Sequence, residues 1–264
     1  MRMLNLHNIE DAKKRLERYD PTSFTGVDSS FRLFTNRINV QTFRHINSLN
    51  ISFEHPVTVI SGTNKVGKTS LLLLLGCSHY GFQRYDSTKP ETVLRRHTWR
   101  DVLPFTSHET TTRDYAYKLY WRIGASIREG EGKRLHTSQA WTGVGKASSD
   151  PGRMNAQIRD REVRLIDLER LVPARNFSNS LLRKITSGTG TRVNPDIEKA
   201  FAYILDLPTT LEVNKIGSHI NKLAFLISYT GEPYSSYNAA SGEESLLNIL
   251  HDIFEAPNDS LILI

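Results

Sequence analysis

A run of eight residues with the spacing G-x-x-x-x-G-K-[ST], Gly62-Thr-Asn-Lys-Val-Gly-Lys-Thr69, constrains the fold of this chain more than any other feature. Its two glycines permit a tight turn with positive φ, which brings backbone N–H groups together around an anion. Residues 56–60 before it are β-branched and predict a short buried strand, and the apolar residues 71–77 after it predict a buried helix. Strand, glycine-rich loop and helix in this order predict a phosphate-binding loop, or P-loop, in an α/β domain.

Within this loop each residue type has a defined role toward a nucleotide. Lys68 supplies a positive charge for the β- and γ-phosphates, and we assign it a catalytic role. The hydroxyl of Thr69 is a metal ligand for Mg²⁺, and the following helix directs the positive end of its dipole at the same anion. We therefore predict ATP and Mg²⁺ as cofactors. The predicted cofactor-binding residues of the loop are Gly62, Thr63, Asn64, Lys65, Val66, Gly67, Lys68, Thr69 and Ser70.

Composition excludes several other classes of protein. The 264 residues suffice for one large domain, or for one domain with an appendage, and the apolar content is typical of a globular chain. The single cysteine, Cys77, excludes an internal disulfide framework and a cysteine-based zinc site. Because the first residues are charged and no apolar run approaches about 18 residues, we expect a cytoplasmic protein with no membrane partner. The net charge of +6 permits binding to nucleic acid but does not demonstrate it.

The chain is expected to consist of an extension and a main domain. For residues 1–37 we predict an N-terminal helical extension, in which Asn8 caps a helix that Pro21 ends. Two alternating apolar–polar runs, 38–42 and 49–53, then predict a pair of strands. Farther along, the predicted elements are a strand at 114–123, a long hairpin loop or insertion at 124–151, a strand at 163–168, helices at 194–207 and 243–254, and an apolar strand at 261–264.

A second motif precedes the last helix. Ser241 and Glu244 have the S-x-x-E spacing of a capping box, followed by an amphipathic helix. Taken alone, such a box only starts a helix. Here a short loop and an apolar run, Ser260-Leu-Ile-Leu-Ile264, come after it, and this run is typical of a buried strand.

Together these motifs resemble one family of proteins. A P-loop, a long insertion, Ser241-Gly242-Glu243 before a helix and then an apolar strand resemble the ABC-type ATPases of the SMC-, RecF- and OLD-like class. The resemblance implies an α/β P-loop NTPase fold of the ABC-ATPase head type, with a mixed sheet and flanking helices. It also implies a head-to-tail dimer or higher oligomer, in which Ser241, Gly242 and Glu243 form a signature motif that contacts the nucleotide held by another copy.

The resemblance sets domain boundaries as well. The run 38–53, containing Phe43-Arg44, resembles the opening strand pair of these ATPases, so Arg44 joins the predicted nucleotide-binding residues. The ATPase domain is placed at 38–264, with an insertion at about 85–200. Members of the family end their Walker B strand in an Asp followed by a catalytic Glu, and we expect these acids beyond residue 264, which leaves the fold incomplete at its C-terminus. The Q-loop is unassigned, because Gln83 follows the P-loop too soon; the remaining candidates are Ser107, His108 and Glu109.

For function, the resemblance implies an ATP-driven molecular switch. Related single-domain ATPases are components of bacterial antiphage defence systems such as PARIS and Septu, so the expected partners are a second copy of the chain and a nuclease or other effector protein. Two alternatives stay open. One is an SMC- or RecF-like DNA-repair ATPase that clamps DNA, and the other is a scaffold that binds ATP without hydrolysing it.

Other clusters of residues favour structural interpretations. Two groups of arginines could contact DNA, but acidic residues interleave with the second group, which favours ordinary surface and interdomain pairing. An aromatic series could stack on bases, but its alternation favours one buried strand face. Three histidines are too scattered in sequence to indicate a metal site. The arginines are Arg95, Arg96 and Arg100, then Arg159, Arg161, Arg164 and Arg170; the aromatic residues are Tyr115, Tyr117, Tyr120 and Trp121; the histidines are His45, His55 and His97.

Overall fold

A computed structural model of the chain describes residues 9–18, 31–84, 95–96, 99–103, 108, 113–137, 140–144, 158, 161–173, 176, 179–180, 183, 190–208, 210–219, 222–229 and 231–264. Its elements in chain order are α1 (Ile9–Arg18), β1 (Leu33–Phe43), β2 (Ile46–Ser52), α2 (Lys68–Cys77), β3 (Gly81–Arg84), β4 (Arg95–Arg96), α3 (Trp99–Val102), β5 (Tyr115–Ile123), β6 (Ser126–Arg134), β7 (Trp141–Gly143), β8 (Glu162–Leu165), α4 (Leu168–Leu171), β9 (Thr191–Arg192), α5 (Pro195–Leu205), β10 (Glu212–His219), β11 (Lys222–Ser228), β12 (Tyr234–Ser235), α6 (Ser241–Phe254) and β13 (Leu261–Leu263).

The first sheet is antiparallel, with the order β2-β1-β5-β6-β7. It confirms the predicted opening strand pair and the strand at 114–123. On β5, Tyr117, Leu119 and Trp121 are buried, as the alternation predicts, because successive side chains point to opposite faces of a strand. Tyr120 lies on the other face, where the guanidinium carbon of Arg37 is 3.9 Å from the centre of its ring.

The segment 124–151 contains regular structure that the sequence analysis did not predict. The glycine-rich stretch forms β6 and β7 rather than one long loop. A β-carbon on Gly130 would lie 2.4 Å from Val144, and one on Gly132 would lie 2.2 Å from the ring of Tyr117. These glycines therefore belong to a strand over which larger side chains pack, and a glycine count alone misreads them as loop residues.

The second sheet is mixed, as the α/β prediction requires. Its order is β13-β8-β3-β4, with β13, β8 and β3 parallel and β4 antiparallel. The predicted strands at 163–168 and 261–264 are confirmed, although β8 ends at Leu165. Helix α2 confirms the helix after the loop, and its residues Leu71, Leu74 and Leu75 pack into a core to which both sheets contribute.

Arg161 joins the two sheets. Its Nη1 donates to Thr35 Oγ1 on β1 at 2.6 Å, and its Nε donates to the carbonyl oxygen of Asp259, just before β13, at 2.9 Å. Burial lowers the pKa of Arg161 to about 10. This arginine, counted in the sequence among the surface cations, is an internal link in the fold.

The segment before the P-loop corrects one prediction. Residues 56–60, expected to be a buried strand, are not paired in any described sheet, and the side chains of Val57 and Val59 are 73% and 84% exposed. Ile60 alone packs against the core. No strand in the described part of the chain pairs with this segment, and the side chains of Val57 and Val59 face solvent.

A third sheet and two helices enclose a second core. The sheet order is β12-β11-β10-β9. The buried residues of this core include Ile197 and Phe201 of α5, Phe225 of β11 and Leu247 of α6. Helix α5 starts as predicted, since Asn194 Oδ1 accepts the N–H of Asp196 at 3.0 Å. The β10–β11 hairpin is absent from the sequence predictions.

Several sequence predictions lie outside the described residues. They concern the predicted helix cap Asn8 and helix end Pro21, and the residues His97, Ser107, Glu109 and Arg159. The Q-loop candidate His108 is an exposed turn residue. Gln83, which follows the P-loop too soon to be a candidate, lies within β3. Among the described helices, none has the combination of length and apolar character that crossing a lipid bilayer requires.

Candidate functional site

The P-loop curls around its own lysine. Gly67 has a φ of 104° and Lys65 a φ of 69°, so the backbone turns back twice before the helix begins. The ammonium nitrogen of Lys68 donates to the carbonyl oxygens of Gly62 and Thr63, at 2.8 and 2.7 Å. The hydrogen bonds of the lysine thus hold its ammonium group at the leading end of the loop.

The start of helix α2 has no anionic or polar side chain to satisfy it. Gly67 is the N-cap residue, it offers no side-chain cap, and no acidic residue lies in the first turn. The first helical hydrogen bond joins the Leu71 N–H to the Gly67 carbonyl at 2.9 Å. A helix N-terminus of this kind, beside a lysine and in an exposed loop, is a binding site for an anion such as a phosphate.

The turn between β1 and β2 supplies a second cation to the same helix start. Arg44 occupies the left-handed region with a φ of 54°, and its Nη1 donates to Ser70 Oγ at 3.4 Å. Ser70 is buried, whereas Arg44 is exposed. The structure therefore brings Arg44, predicted from the opening strand pair, against the last residue of the loop.

The same turn packs on Gly67. A β-carbon built on Gly67 would lie 2.8 Å from His45 Nε2 and 2.9 Å from Ile46 Cγ1. Any side chain at position 67 would displace this turn. This contact was not predicted from the sequence, in which His45 was noted only as one of three scattered histidines. Its position directly after Arg44 was the only feature of the sequence that could have indicated a place near the P-loop.

The residues of the loop also fit a magnesium nucleotide. Residues 61–66 and Thr69 are exposed, so a nucleotide can reach the backbone N–H groups and the hydroxyl. Thr69, at the second position of α2, would supply the protein oxygen ligand to Mg²⁺, while Lys68 and the helix start would hold the phosphates.

The signature residues begin helix α6, with a correction to the predicted cap. Ser241 is the first helical residue and Ala240 is the N-cap; the carboxylate of Glu243, not Glu244, accepts the Ala240 N–H at 2.9 Å. Glu244 is buried instead. Because Ala240 has no polar side chain, only the glutamate half of a capping box forms, and the box is shifted by one residue from the predicted register.

The surface around this helix start is open on the glycine side. Gly242 is exposed, and a β-carbon added to it would meet no atom within 4 Å. On the other side Tyr234 Oη donates to Glu243 Oε1 at 3.4 Å, and burial, with the neighbouring Tyr229 and Glu243, raises the pKa of Tyr234. The predicted signature residues are thus on a different element from the P-loop and its two flanking cations, and Gly242 among them borders open space.

Comparison with known proteins identifies the domain. The profile of a family described as an AAA domain matches residues 37–226, more than half of the chain, and includes the P-loop and the β1–β2 turn. No curated protein matches the chain. The family consists of P-loop ATPases related to the SMC- and RecF-like ATPases, and its members generally bind ATP with Mg²⁺. Its profile, together with the loop geometry, places this chain in the AAA domain family of P-loop ATPases.

Proposed function

We propose that this protein is an ATP-binding, ATP-hydrolysing molecular switch whose nucleotide lies on the P-loop at 62–70. The observation that carries the proposal is the uncapped start of α2, with the ammonium group of Lys68 across the loop and the guanidinium group of Arg44 beside Ser70. Isothermal titration with ATP, with and without Mg²⁺, tests it directly. Saturable binding that Mg²⁺ strengthens supports the proposal, and absence of binding to ATP and ADP contradicts it.

The signature residues suggest that two copies close around the nucleotide. A triphosphate held at one P-loop would meet the start of helix α6 in another copy, where the hydroxyl of Ser241 can donate a hydrogen bond to a phosphate oxygen. The open space next to Gly242 leaves room for such an approach.

An arginine in place of Ser241 tests this arrangement. We expect Ser241→Arg to retain ATP affinity but to lose ATP-dependent dimerisation, since a bulky side chain would occupy the space that the γ-phosphate of the other copy needs. Light scattering with and without ATP measures the dimer. Ser126→Arg, at an exposed position on β6, is the matched control for added charge and should dimerise normally. A Ser241→Arg protein that still dimerises on ATP would refute the trans contact.

Hydrolysis is proposed to need acids that follow Ile264. Residues 57–60 support this proposal, because β-branched residues favour strand pairing and no described strand pairs with this segment. Strand β13 pairs with β8 on one side in the described structure. Sequence after Ile264 that carries the Walker B acids would offer a strand partner for residues 57–60.

This proposal predicts a difference between two lengths of chain. A protein extended by its natural C-terminal sequence should hydrolyse ATP, whereas the 264-residue chain should bind ATP with little turnover. Phosphate release under identical conditions measures the difference. Equal turnover by the two proteins would contradict the proposal, and equal absence of turnover would favour the non-hydrolysing scaffold.

The biological setting we propose is antiphage defence, with a nuclease or other effector as partner, by analogy with the PARIS and Septu ATPases. Phage plating on cells that express the complete locus, with and without an inactivated P-loop, tests it. The alternative of a DNA-repair clamp draws no support from the second arginine group: Arg161 and Arg170 are buried, and Arg164 is engaged with Glu162. Salt-dependent binding to duplex DNA would nevertheless favour the clamp.

A further inference from the structure

The imidazole ring of His45 lies against Gly67 of the P-loop. Its Nε2 is 2.8 Å from the position that a β-carbon on Gly67 would take, so the ring edge covers the residue that caps helix α2. His45 is exposed, as is Arg44 before it, and the pair forms the turn that joins β1 to β2. A hydrogen-bonding group is therefore held at the edge of an anion site while remaining accessible to a ligand.

The two ends of the loop are distinguishable by their cations. Lys68 Nζ lies at the leading end, within 2.8 Å of the Gly62 carbonyl, and lysines in this position serve the β- and γ-phosphates. Arg44 and His45 lie at the trailing end, beside Ser70 and Gly67. A nucleotide whose terminal phosphates face Lys68 would therefore direct its α-phosphate toward the β1–β2 turn.

We propose that His45 is a nucleotide-binding residue that donates from Nε2–H to an oxygen of the α-phosphate. This inference rests on the proposed binding of ATP to the P-loop. Arg44 beside it contributes charge to the same end of the phosphate chain, and its hydrogen bond to Ser70 holds the turn on the helix. His45 would therefore help to distinguish a nucleotide from a ligand that carries the terminal phosphates alone.

Three ligands and three variants test the inference. Affinities for ATP, ADP and pyrophosphate are measured by isothermal titration. We expect His45→Ala to weaken ATP and ADP by about tenfold, the effect of losing one hydrogen bond to a charged group, and to leave pyrophosphate binding unchanged. His45→Phe keeps a ring against Gly67 without a donor and should lose as much, whereas His45→Gln keeps a donor and should recover most of the affinity.

The outcomes separate this inference from the proposed function. Failure of the unmodified protein to bind ATP overturns the nucleotide site itself. If the unmodified protein binds ATP, then equal weakening of all three ligands in His45→Ala reveals a loop-shaping role only and overturns the α-phosphate contact, as does unchanged binding. A second measurement does not depend on variants: the ring proton resonances of His45 should shift on addition of ATP and stay in place with pyrophosphate. His136→Ala, at an exposed histidine bonded to Asp114, is the control.

Discussion

Lys68→Ala should reduce affinity for ATP by at least about a hundredfold. The ammonium group is the charge that the loop directs toward the β- and γ-phosphates, and loss of about 3 kcal/mol corresponds to the removal of strong charged hydrogen bonds. In the structure the same group bonds to the carbonyls of Gly62 and Thr63, so the variant also loses the bridge that closes the loop. Titration calorimetry measures the affinity, and thermal unfolding supplies a second readout, since ATP should raise the Tm of the unmodified protein but not of the variant.

Lys65→Asn is the matched control. Lys65 lies in the same loop and carries the same charge, but its predicted contact with the nucleotide is through the backbone N–H, which an asparagine keeps. Asparagine also tolerates the left-handed conformation of this residue, which has a φ of 69°. This variant removes one positive charge without removing the motif lysine and should change ATP affinity far less. Unchanged ATP affinity in Lys68→Ala would refute the P-loop assignment. An equal loss of affinity in both variants would show that Lys68 acts only through non-specific electrostatic attraction of the nucleotide.

The sequence predicts the candidate loop and the helix after it because both are local. Its glycines, lysine and threonine are adjacent in the chain, and the observed helix Lys68–Cys77 follows from the apolar run after them. The contact of His45 with Gly67 is not predictable in this way, because it depends on how the β1–β2 turn folds over a loop more than twenty residues later. Spacing within a motif carries no information about a neighbouring turn.

The fold shows the same division between local and non-local information. Residues 38–42 of strand Leu33–Phe43 and the strand Tyr115–Ile123 are predicted from alternation, and helix α5 from its Asn-Pro start. Residues 33–37, which the sequence analysis assigned to the helical extension, belong to the strand instead. Residues 56–60 mislead, because β-branched composition reports a preference for pairing but not whether a partner strand is present. The strand Ser126–Arg134 is missed because its glycines make room for Tyr117, on β5, and Val144, just after β7, and neither neighbour is evident from the sequence of the strand itself.

The second large effect concerns the C-terminal end of helix α6, which begins at the predicted signature residues. Asp252, on the last turn of α6, forms two hydrogen bonds of 2.6 Å with Arg170 of α4, from Nε to Oδ2 and from Nη2 to Oδ1. Both side chains are buried. On β8, Arg164 Nη1 donates to the Asp252 carbonyl at 3.0 Å. Helix α6, which starts at Ser241, is therefore attached at its other end to strand β8 of the mixed sheet and to helix α4, which follows that strand.

Asp252→Ala should lower the free energy of unfolding by about 3–5 kcal/mol, because the variant leaves the Arg170 guanidinium buried without its carboxylate. Denaturant unfolding measures the change. Glu255→Ala, at an exposed position just beyond the same helix, is the control and should stay within about 0.5 kcal/mol of the unmodified protein. A loss in Asp252→Ala no larger than that of the control would contradict the prediction.

The pair also makes stability depend on pH. Burial raises the pKa of Asp252, but His251 and Arg170 lower it more, so that it lies below its ordinary value of 3.8. A carboxyl group with a depressed pKa stabilises the fold fully above that ordinary value, and the contribution is lost as the pH falls below it through the folded-state pKa. The difference in stability between the unmodified protein and Asp252→Ala should therefore be constant near neutral pH and shrink below about pH 4.

A double variant shows whether the stability loss in Asp252→Ala comes from the buried charge of Arg170 or from lost packing. Asp252→Leu with Arg170→Met removes both charges together and fills the space with apolar side chains of similar size, so it should recover most of the stability that Asp252→Ala loses. The double variant should also lose the pH dependence described for the pair. If the stability losses of the single variants instead add in the double variant, the cost comes from packing rather than from an unpaired buried arginine. In that case side-chain packing holds α6 against α4, and the charge of Asp252 does not contribute to this attachment.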